Sequence, residues 1–495
     1  MMQMSTFQTT QEERRRLHHE ADVVVVGAGI FGCAISIALA KQGRSVILLE
    51  RSLKEPDRIV GELLQPGGVA ALEQLGLSDC LEGIDSIRVK GYDVIYYGQE
   101  VEIPYPENAG PIVKRGSDGS PIEKKSRPEG RSFHHGRFIR RLREACDREH
   151  NITIFETTVT STISSTHDPV VLGVESMTLS PSTGEREKDY YFGKLTIIAD
   201  GYASTFRKQY IKHTPVVKSK FYGLELIDAP LPAPNYGHVI LGDAAPVLLY
   251  QIGTHETRAL IDVPDNLPTA SPAAGGVKAH LKNVILPSLP KQVQPSFAQA
   301  LAEGKLRSMP NSWLPPSTQQ VPGMVLLGDA MNMRHPLTGG GMTVAFNDVV
   351  LLSELLSPEQ VPDLSNTKAV QKAMRMFHWR RKNLSTVINI LAQALYSLFA
   401  ANDRQLKALQ LGCFRYFQRG GQCIDGPVGL LAGIIKQPLV LFYHFFAVAL
   451  LSMWILIGET LSGGWKFPLA LIESVMVFWK ACVVIFPFIF SEMKW

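Results

Sequence analysis

Glu50, Asp200 and Asp329 each close an apolar run: Ser45-Val-Ile-Leu-Leu-Glu50, Leu195-Thr-Ile-Ile-Ala-Asp200 and Val325-Leu-Leu-Gly-Asp329. A carboxylate at the carboxyl end of a strand stands where an α/β sheet presents its ligand crevice. Upstream of the first lies Asp22-Val-Val-Val-Val-Gly-Ala-Gly-Ile-Phe-Gly32, with glycines at 27, 29 and 32. Gly27 permits a tight turn, Gly29 lets the backbone approach a pyrophosphate, and Gly32 lets the next helix pack closely on the strand. The phosphates would sit on the N–H groups at that helix start, near Ile30 and Phe31. Glu50 then accepts hydrogen bonds from an adenosine ribose. Asp329 can bond a polyol, and the turn Gly339-Gly340-Gly341 offers N–H groups to an electron-rich ring. All three motifs, in this order, point to FAD rather than NAD. His134 and His135 suggest a metal pair or a base at first sight. Adjacent histidines on a strand face opposite ways, and no carboxylate motif accompanies them, so they are read as structural.

These motifs need a sheet to carry them. Apolar strands alternate with helical patterns at both ends of the first 360 residues, separated by a strand-rich interlude. The reading is an α/β fold. A Rossmann-like FAD-binding domain (21–90, 132–210 and 306–360) is interrupted by an inserted β-rich substrate domain (91–131 and 211–305). A helical cap (361–436) and membrane-associating helices (437–495) follow, and a polar tail (1–20) precedes. Strands are expected at 153–159 and 170–179, and a basic helix at 138–148. Pro104–Arg131, rich in Pro, Gly, Ser, Lys and Arg, reads as a mobile surface insertion. The formal charge of +4, without a basic stripe interleaved with aromatics, argues against nucleic acid. Six scattered cysteines lack CxxC or metal-ligand spacing and read as reduced thiols.

The C-terminal sixty residues are far more apolar than the rest. Leu384–Asn402 carries no charge but holds Ser385, Thr386, Asn389 and Gln393, which fits a buried helix of the cap. Gly420–Gly433 breaks the helical pattern. Gln437–Gly458 runs uncharged, and its apolar core makes a helix roughly 30 Å long, enough for a bilayer. Phe467–Phe490 contains Glu473 and Lys480 on one helical face and reads as better suited to an interface. These two segments are expected to be a separable anchor: a chain ending near Gln437 should stay soluble and bind FAD.

Beyond the residues themselves, several runs resemble squalene epoxidases. They are Glu50-Arg-Ser-Leu-Lys-Glu-Pro-Asp-Arg-Ile-Val-Gly-Glu62, Phe133-His-His-Gly-Arg-Phe-Ile139, Leu306-Arg-Ser-Met-Pro310, Gly328 through Phe346, Asn389-Ile-Leu-Ala-Gln-Ala-Leu-Tyr396 and Gly426-Pro-Val-Gly-Leu-Leu431. The resemblance covers about residue 20 onward, least well in 104–131. It implies an FAD-dependent monooxygenase of the hydroxybenzoate-hydroxylase type of fold. Such an enzyme takes squalene and O2 as substrates and electrons from an NADPH-dependent diflavin reductase. It is bound to membrane lipid of the endoplasmic reticulum, or lipid droplets, with its catalytic part facing the cytosol. It inserts one oxygen atom into a terminal double bond for sterol (ergosterol-type) synthesis. Carried over by position, the resemblance assigns Ile30, Phe31, Glu50, Arg51, Arg58, Leu63, Arg143, Val159, Asp329 and Met342 to FAD, beside Gly27, Gly29, Gly32 and Gly341 of the motifs. It places Tyr92 and Gln65 at the substrate pocket, and His135 is expected to help shape that pocket. No side chain is expected to transfer a proton, because squalene offers none. The alternatives are an FAD-dependent polyprenyl reductase and a non-catalytic prenyl-lipid binding protein on the same fold.

Overall fold

The computed structural model describes residues 2–107, 127–179, 184–461 and 467–493, with side chains at 10–107, 127–179, 184–458 and 470–493. Its first sheet is built on the valine run. Val23–Val26 are fully buried, as a central parallel strand covered on both faces must be. Glu20–Val26 pairs in parallel with Val46–Glu50 on one side and with Arg186–Ile198 on the other. Ile152–Glu156 extends the sheet beyond Val46–Glu50, and Met324–Leu326 pairs in parallel with the end of Arg186–Ile198. The first half of that long strand pairs antiparallel with Val171–Leu179, which carries Thr158–Ser164 on its far edge. Register brings the carboxyl ends together: Val26 lies beside Leu49 and Ile198, and Ile198 beside Leu326. The three acidic motifs therefore leave one edge of one sheet. Helix Ile30–Ala40 has no charged residue, and all but its first residue are buried, so it is held by packing on every side.

A second sheet runs in the order Arg307–Trp313, Val216–Ile227, Glu256–Pro264, Val247–Gln251, Tyr236–Leu241, Gly91–Tyr96, Gln99–Pro104. Leu63–Leu64, Gly130–Ser132 and Ile87–Val89 form a separate three-stranded sheet. The expected boundary at 306 falls just before Arg307–Trp313, which joins the second sheet as an edge strand of Val216–Ile227.

Several local expectations need correction. The polar tail forms a helix, Met2–Leu17, whose Arg15 is buried with its guanidinium on Thr153 and the His150 carbonyl. The strand expected over 153–159 is two strands, parted at Thr157, whose N–H turns to the Glu50 carbonyl. Within 104–131, Tyr105 is fully buried and Gly130–Ser132 is a strand, while 108–126 lie outside the described residues. The glycines of 420–433 delimit a helix rather than break one. Gly420, Gly421 and Gly433 take positive φ (68°, 53° and 69°) around Gln422–Leu431. Such angles suit residues without a Cβ at helix ends.

Helix Lys382–Phe399 is largely buried and turns by 112° into Arg404–Phe417. Against these pack Pro438–Leu461 and Phe467–Met493. Two glycines permit the contact: a Cβ on Gly412 would lie 1.9 Å from Ser452 Oγ, and one on Gly426 1.9 Å from His444 Nε2. Both of the last helices, not the first alone, are long and apolar enough to cross a membrane (Pro438–Gly458 and Ala470–Met493). The charges that set the second apart are paired with the cap at a partly exposed seam: Glu473 with Arg404 at 2.7 Å and Lys480 with Asp403 at 2.6 Å. On their outer faces Leu439, Leu450, Trp454, Ile472 and Trp479 are more than half exposed. A contiguous apolar surface of that kind marks contact with lipid or a partner.

Candidate active site

The glycine turn has the geometry a dinucleotide needs. Gly27 has φ 103°, and a Cβ there would meet the Ala199 carbonyl oxygen at 2.5 Å. A Cβ on Gly32 would lie 1.8 Å from the Gly27 oxygen, so no other residue fits either position. Around Gly29 the same test meets nothing within 4 Å. Gly29 caps the helix without a side-chain bond, leaving the first-turn N–H groups of Ile30 and Phe31 available to an anion. An open, uncapped helix start against a closed turn is the cradle a pyrophosphate would occupy.

The other cofactor candidates gather round it. Glu50 Oε2 accepts from the Ala28 N–H at 2.8 Å, and Oε1 from Ser52 N–H at 3.2 Å, which fixes the carboxylate at the strand end. Arg143 donates to the Ala28 carbonyl at 3.0 Å and lies 3.5 Å from Glu50. Arg51 is exposed beside it, and Val159 is two residues past the Thr157 bond to Glu50. Arg58 covers the Tyr202 ring at 5.0 Å, next to Gly201. Asp329 is exposed, and among the described residues no hydrogen bond is found for its carboxylate, which leaves it available to a polyol. Gly328 packs on Phe31 (3.2 Å from an added Cβ), so the Asp329 loop and the first glycine turn touch. Helix Gly341–Leu355 begins without a side-chain cap, with Met342 buried in the same core as Phe31.

Gln65, Tyr92 and Thr338 form the wall beside the Gly339 turn. Gln65 Nε2 donates to the Tyr92 hydroxyl and, at 2.8 Å, to the Thr338 carbonyl, while Tyr105 donates to Gln65 Oε1 at 2.7 Å. Gly339 has φ 61°, and a Cβ there would lie 3.0 Å from Leu63 and 3.3 Å from Gln65 Nε2. Burial pushes the Tyr92 hydroxyl up to about 12. His135 does not join this group. It opens helix His135–Asp147, with His134 as its cap, so the pair is at a helix start rather than on a strand. Its Nδ1 pairs with the Gly61 carbonyl at 2.8 Å, which requires the tautomer with hydrogen on Nδ1. Burial, helped by Arg58, pulls its pKa down to about 4.

Three contributors were not legible in the sequence. Tyr105 stands inside a segment whose polar composition gives no sign of a buried residue. Buried Arg207 donates to the carbonyls of Tyr202 (2.8 Å), Ala330 and Asp329 (both 3.0 Å) and Gly201 (3.1 Å), tying the Asp200 loop to the Asp329 loop. Burial lowers its pKa, against the pull of Asp200 and Asp329. Glu62, fully buried, takes two bonds from Arg258 (2.9 and 2.8 Å) and one from Tyr250 (3.1 Å). This bonds the loop after Arg58 to the second sheet. Only the position of Glu62 in the quoted Glu50–Glu62 run hinted at it.

A strand-edge crevice with a dinucleotide cradle, a free carboxylate and a second glycine turn defines the class as an FAD-dependent oxidoreductase. The match of the FAD dependent oxidoreductase family to residues 22–56 agrees with it. Among solved structures, p-nitrophenol 4-monooxygenase PnpA from Pseudomonas putida superposes with a TM-score of 0.63 at 19% identity, covering 84% of this chain and 97% of its own. HpxO of Klebsiella pneumoniae, solved with FAD and uric acid, gives 0.60 at 20%, covering 86% and 98%. The Squalene epoxidase family matches residues 192–472. The squalene epoxidase of Aspergillus fumigatus is 60% identical, over 97% of this chain and 95% of that protein. The squalene monooxygenase of Mus musculus is 42% identical, over 96% and 78%. The chain belongs to the squalene epoxidase family. That membership sets aside the polyprenyl reductase and the non-catalytic lipid binder.

Two outcomes are expected. Asp329→Ala removes the exposed carboxylate without touching a packed group, so FAD affinity should fall tenfold or more with the fold intact; flavin fluorescence titration and circular dichroism measure the two. His135 stays neutral when folded down to about pH 4, whereas in the unfolded chain it protonates near 6.5. Below 6.5 the unfolded state therefore binds the extra proton, and stability falls with falling pH by about 1.4 kcal/mol per unit. His135→Asn can still donate to Gly61 but cannot take the proton, so denaturant titrations at pH 7 and pH 5 should differ less than in the parent.

Proposed function

We propose that this chain inserts one oxygen atom of O2 into a terminal double bond of squalene. FAD is the cofactor, and electrons come from NADPH through a separate diflavin reductase. The work is done at the membrane of the endoplasmic reticulum and of lipid droplets, with the catalytic part on the cytosolic side. One observation carries the substrate reading. A single apolar cluster runs from Tyr92 and Leu337, beside the Gly339 turn, through Phe399 and Phe414 to Val448 and Val477 of the last two helices. A hydrocarbon has no polar group to steer it through water, so apolar burial at about 0.8 kcal/mol per CH₂ must supply its binding. A small apolar pocket, half open to the outside, lies beside that route, bounded by Leu391, Leu398, Phe417, Leu441 and Phe445. In this reading the first sheet binds cofactor and the second, now including Arg307–Trp313, lines the substrate side, with the cap and the last helices closing it toward the membrane.

Each candidate residue then has a task. The N–H groups at Gly29, Ile30 and Phe31 hold the pyrophosphate, and Glu50 the ribose. Arg51, Arg58 and Arg143 hold the approach positive, and Leu63, Val159 and Met342 supply apolar contact. Asp329 takes the polyol, and the uncapped start at Gly341 favours negative charge on the ring. When bound and reduced, FAD supplies the electrons that activate O2 for oxygen transfer to the alkene. No side chain is required to move a proton during that transfer. Tyr92 is a poor acid, with its hydroxyl held up by burial and already engaged by Gln65. Tyr92, Gln65 and Tyr105 instead fix the wall against the Gly339 turn and keep water out.

Tyr92→Phe should therefore retain epoxidation within a few-fold, whereas Tyr92→Ala, which opens the wall, should raise the hydrogen peroxide released per NADPH consumed. Measuring epoxide and peroxide for both variants tests the assignment. Loss of epoxidation in Tyr92→Phe with normal flavin reduction would make the hydroxyl a chemical participant and overturn it.

A further inference from the structure

The segment between Asp329 and Gly341 is fastened from an unexpected direction. Asn332, fully buried, donates to the Leu314 carbonyl at 2.7 Å, and its Oδ1 is the meeting point of three donors. These are Arg334 at 2.9 Å, Arg381 at 3.3 Å and Asn389 at 3.2 Å. Arg381 also grips Asp348 of helix Gly341–Leu355 through two bonds of 2.9 and 2.7 Å. The second hydrogen of the Asn389 amide goes to Glu492 Oε1 at 2.8 Å, and Thr386 donates to Glu492 Oε2 at 3.1 Å. Glu492 belongs to the last helix, Phe467–Met493, and is only 2% exposed. An apolar helix that otherwise shows its flank to the outside thus buries a carboxylate in the protein, one amide away from the cofactor loop.

Charge counting says the carboxylate is needed there. Arg334, Arg381 and the Lys382 ammonium are buried cations, and Asp348 and Glu492 are the buried carboxylates that face them, with the exposed Asp329 also acting on Arg334. Asp348 is committed to Arg381. Arg334 keeps Nε and Nη1 without a protein partner, so removing Glu492 would leave it only Asp329, which is exposed, and Asp348, which is already held by Arg381. The loop would relax toward water or toward a different arrangement.

We propose that Glu492 is a positioning residue for the flavin site: seated on Asn389, it holds the 328–341 loop in its binding form, so that docking of the last helix and loading of FAD favour each other. The inference rests on reading that loop as flavin-binding. Coupling of this kind is reciprocal. Whatever Glu492 contributes to FAD affinity, FAD must return as protection of the helix that carries Glu492.

The test uses the full-length protein in detergent. In FAD titrations, Glu492→Ala should raise the Kd tenfold or more. Glu492→Gln, which restores the acceptor oxygen without the charge, should fall between it and the parent. In an Asn389→Ala background, Glu492→Ala should add less than twofold, because the connection is already cut. Glu473→Ala breaks the ion pair of the same helix with Arg404, away from the loop, and should leave the Kd within twofold of the parent. In the unaltered protein, stripping FAD should speed amide exchange across 484–492 and re-adding it should reverse the change, a readout that does not depend on any variant folding well. Equal losses for Glu473→Ala and Glu492→Ala, or exchange across 484–492 indifferent to FAD, would overturn the proposal. If Asp329→Ala also leaves the Kd unchanged, it is the loop's assignment that fails; if Asp329→Ala weakens FAD and Glu492→Ala does not, only the coupling fails.

Discussion

Four backbone carbonyls converge on one buried guanidinium, and the site depends on that convergence. Arg207 bonds Gly201 and Tyr202 after one strand and Asp329 and Ala330 after its neighbour. Both loops leave a parallel edge where backbone groups have no ladder partner, and an unpaired carbonyl in the interior costs roughly 1–3 kcal/mol. One side chain with several donors satisfies four of them and sets the spacing of the crevice. Arginine suits the role because its donors form a planar fork; a lysine would present one rotating point charge. The glycine turn opposite is fixed by a steric condition instead, since Gly27 and Gly32 approach too closely for any Cβ. Between these two rigid features the exposed Asp329 carboxylate and the open face of Gly29 remain available.

The C-terminal helices belong to the catalytic body as much as to the membrane surface. Their inner faces share an apolar cluster with Tyr92 and Leu337, and Gly412 and Gly426 let Ser452 and His444 seat directly against the cap. This changes the expectation that they form a separable anchor. A chain ending near Gln437 would expose the buried faces of Lys382–Phe399 and Arg404–Phe417 and leave Thr386 and Asn389 without Glu492. The same apolar continuity makes these helices hard to separate from the body of the protein.

What was legible in the sequence were features that local chemistry dictates. The valine strand, the glycine spacing and the three strand-end carboxylates each follow from backbone geometry, and the structure brings them to one edge. The two last helices were legible from hydropathy, but the role of Glu473 and Lys480 was not. Their partners Arg404 and Asp403 are some seventy residues away in sequence, and no periodicity reports such a pairing. Arg207, Glu62 and the Asn332 network were hidden for the same reason: a buried polar contact is a property of two distant positions. Tyr105 was masked by its polar neighbours, although it stands at the edge of that segment and packs wholly inside. For His134 and His135 the strand argument does not apply, because they start a helix, with His135 held by the Gly61 carbonyl.

The central claim is that this chain transfers a single oxygen atom from O2 to squalene on FAD. The most direct measurement incubates the membrane-bound holoprotein with squalene, NADPH, a microsomal diflavin reductase and ¹⁸O-labelled O2, and analyses the product by mass spectrometry. The account predicts 2,3-epoxysqualene carrying one labelled oxygen, formed only when NADPH and the reductase are both present. An unlabelled product, a product with a double bond reduced rather than epoxidised, or unchanged squalene beside a fully reduced and reoxidised flavin would contradict it.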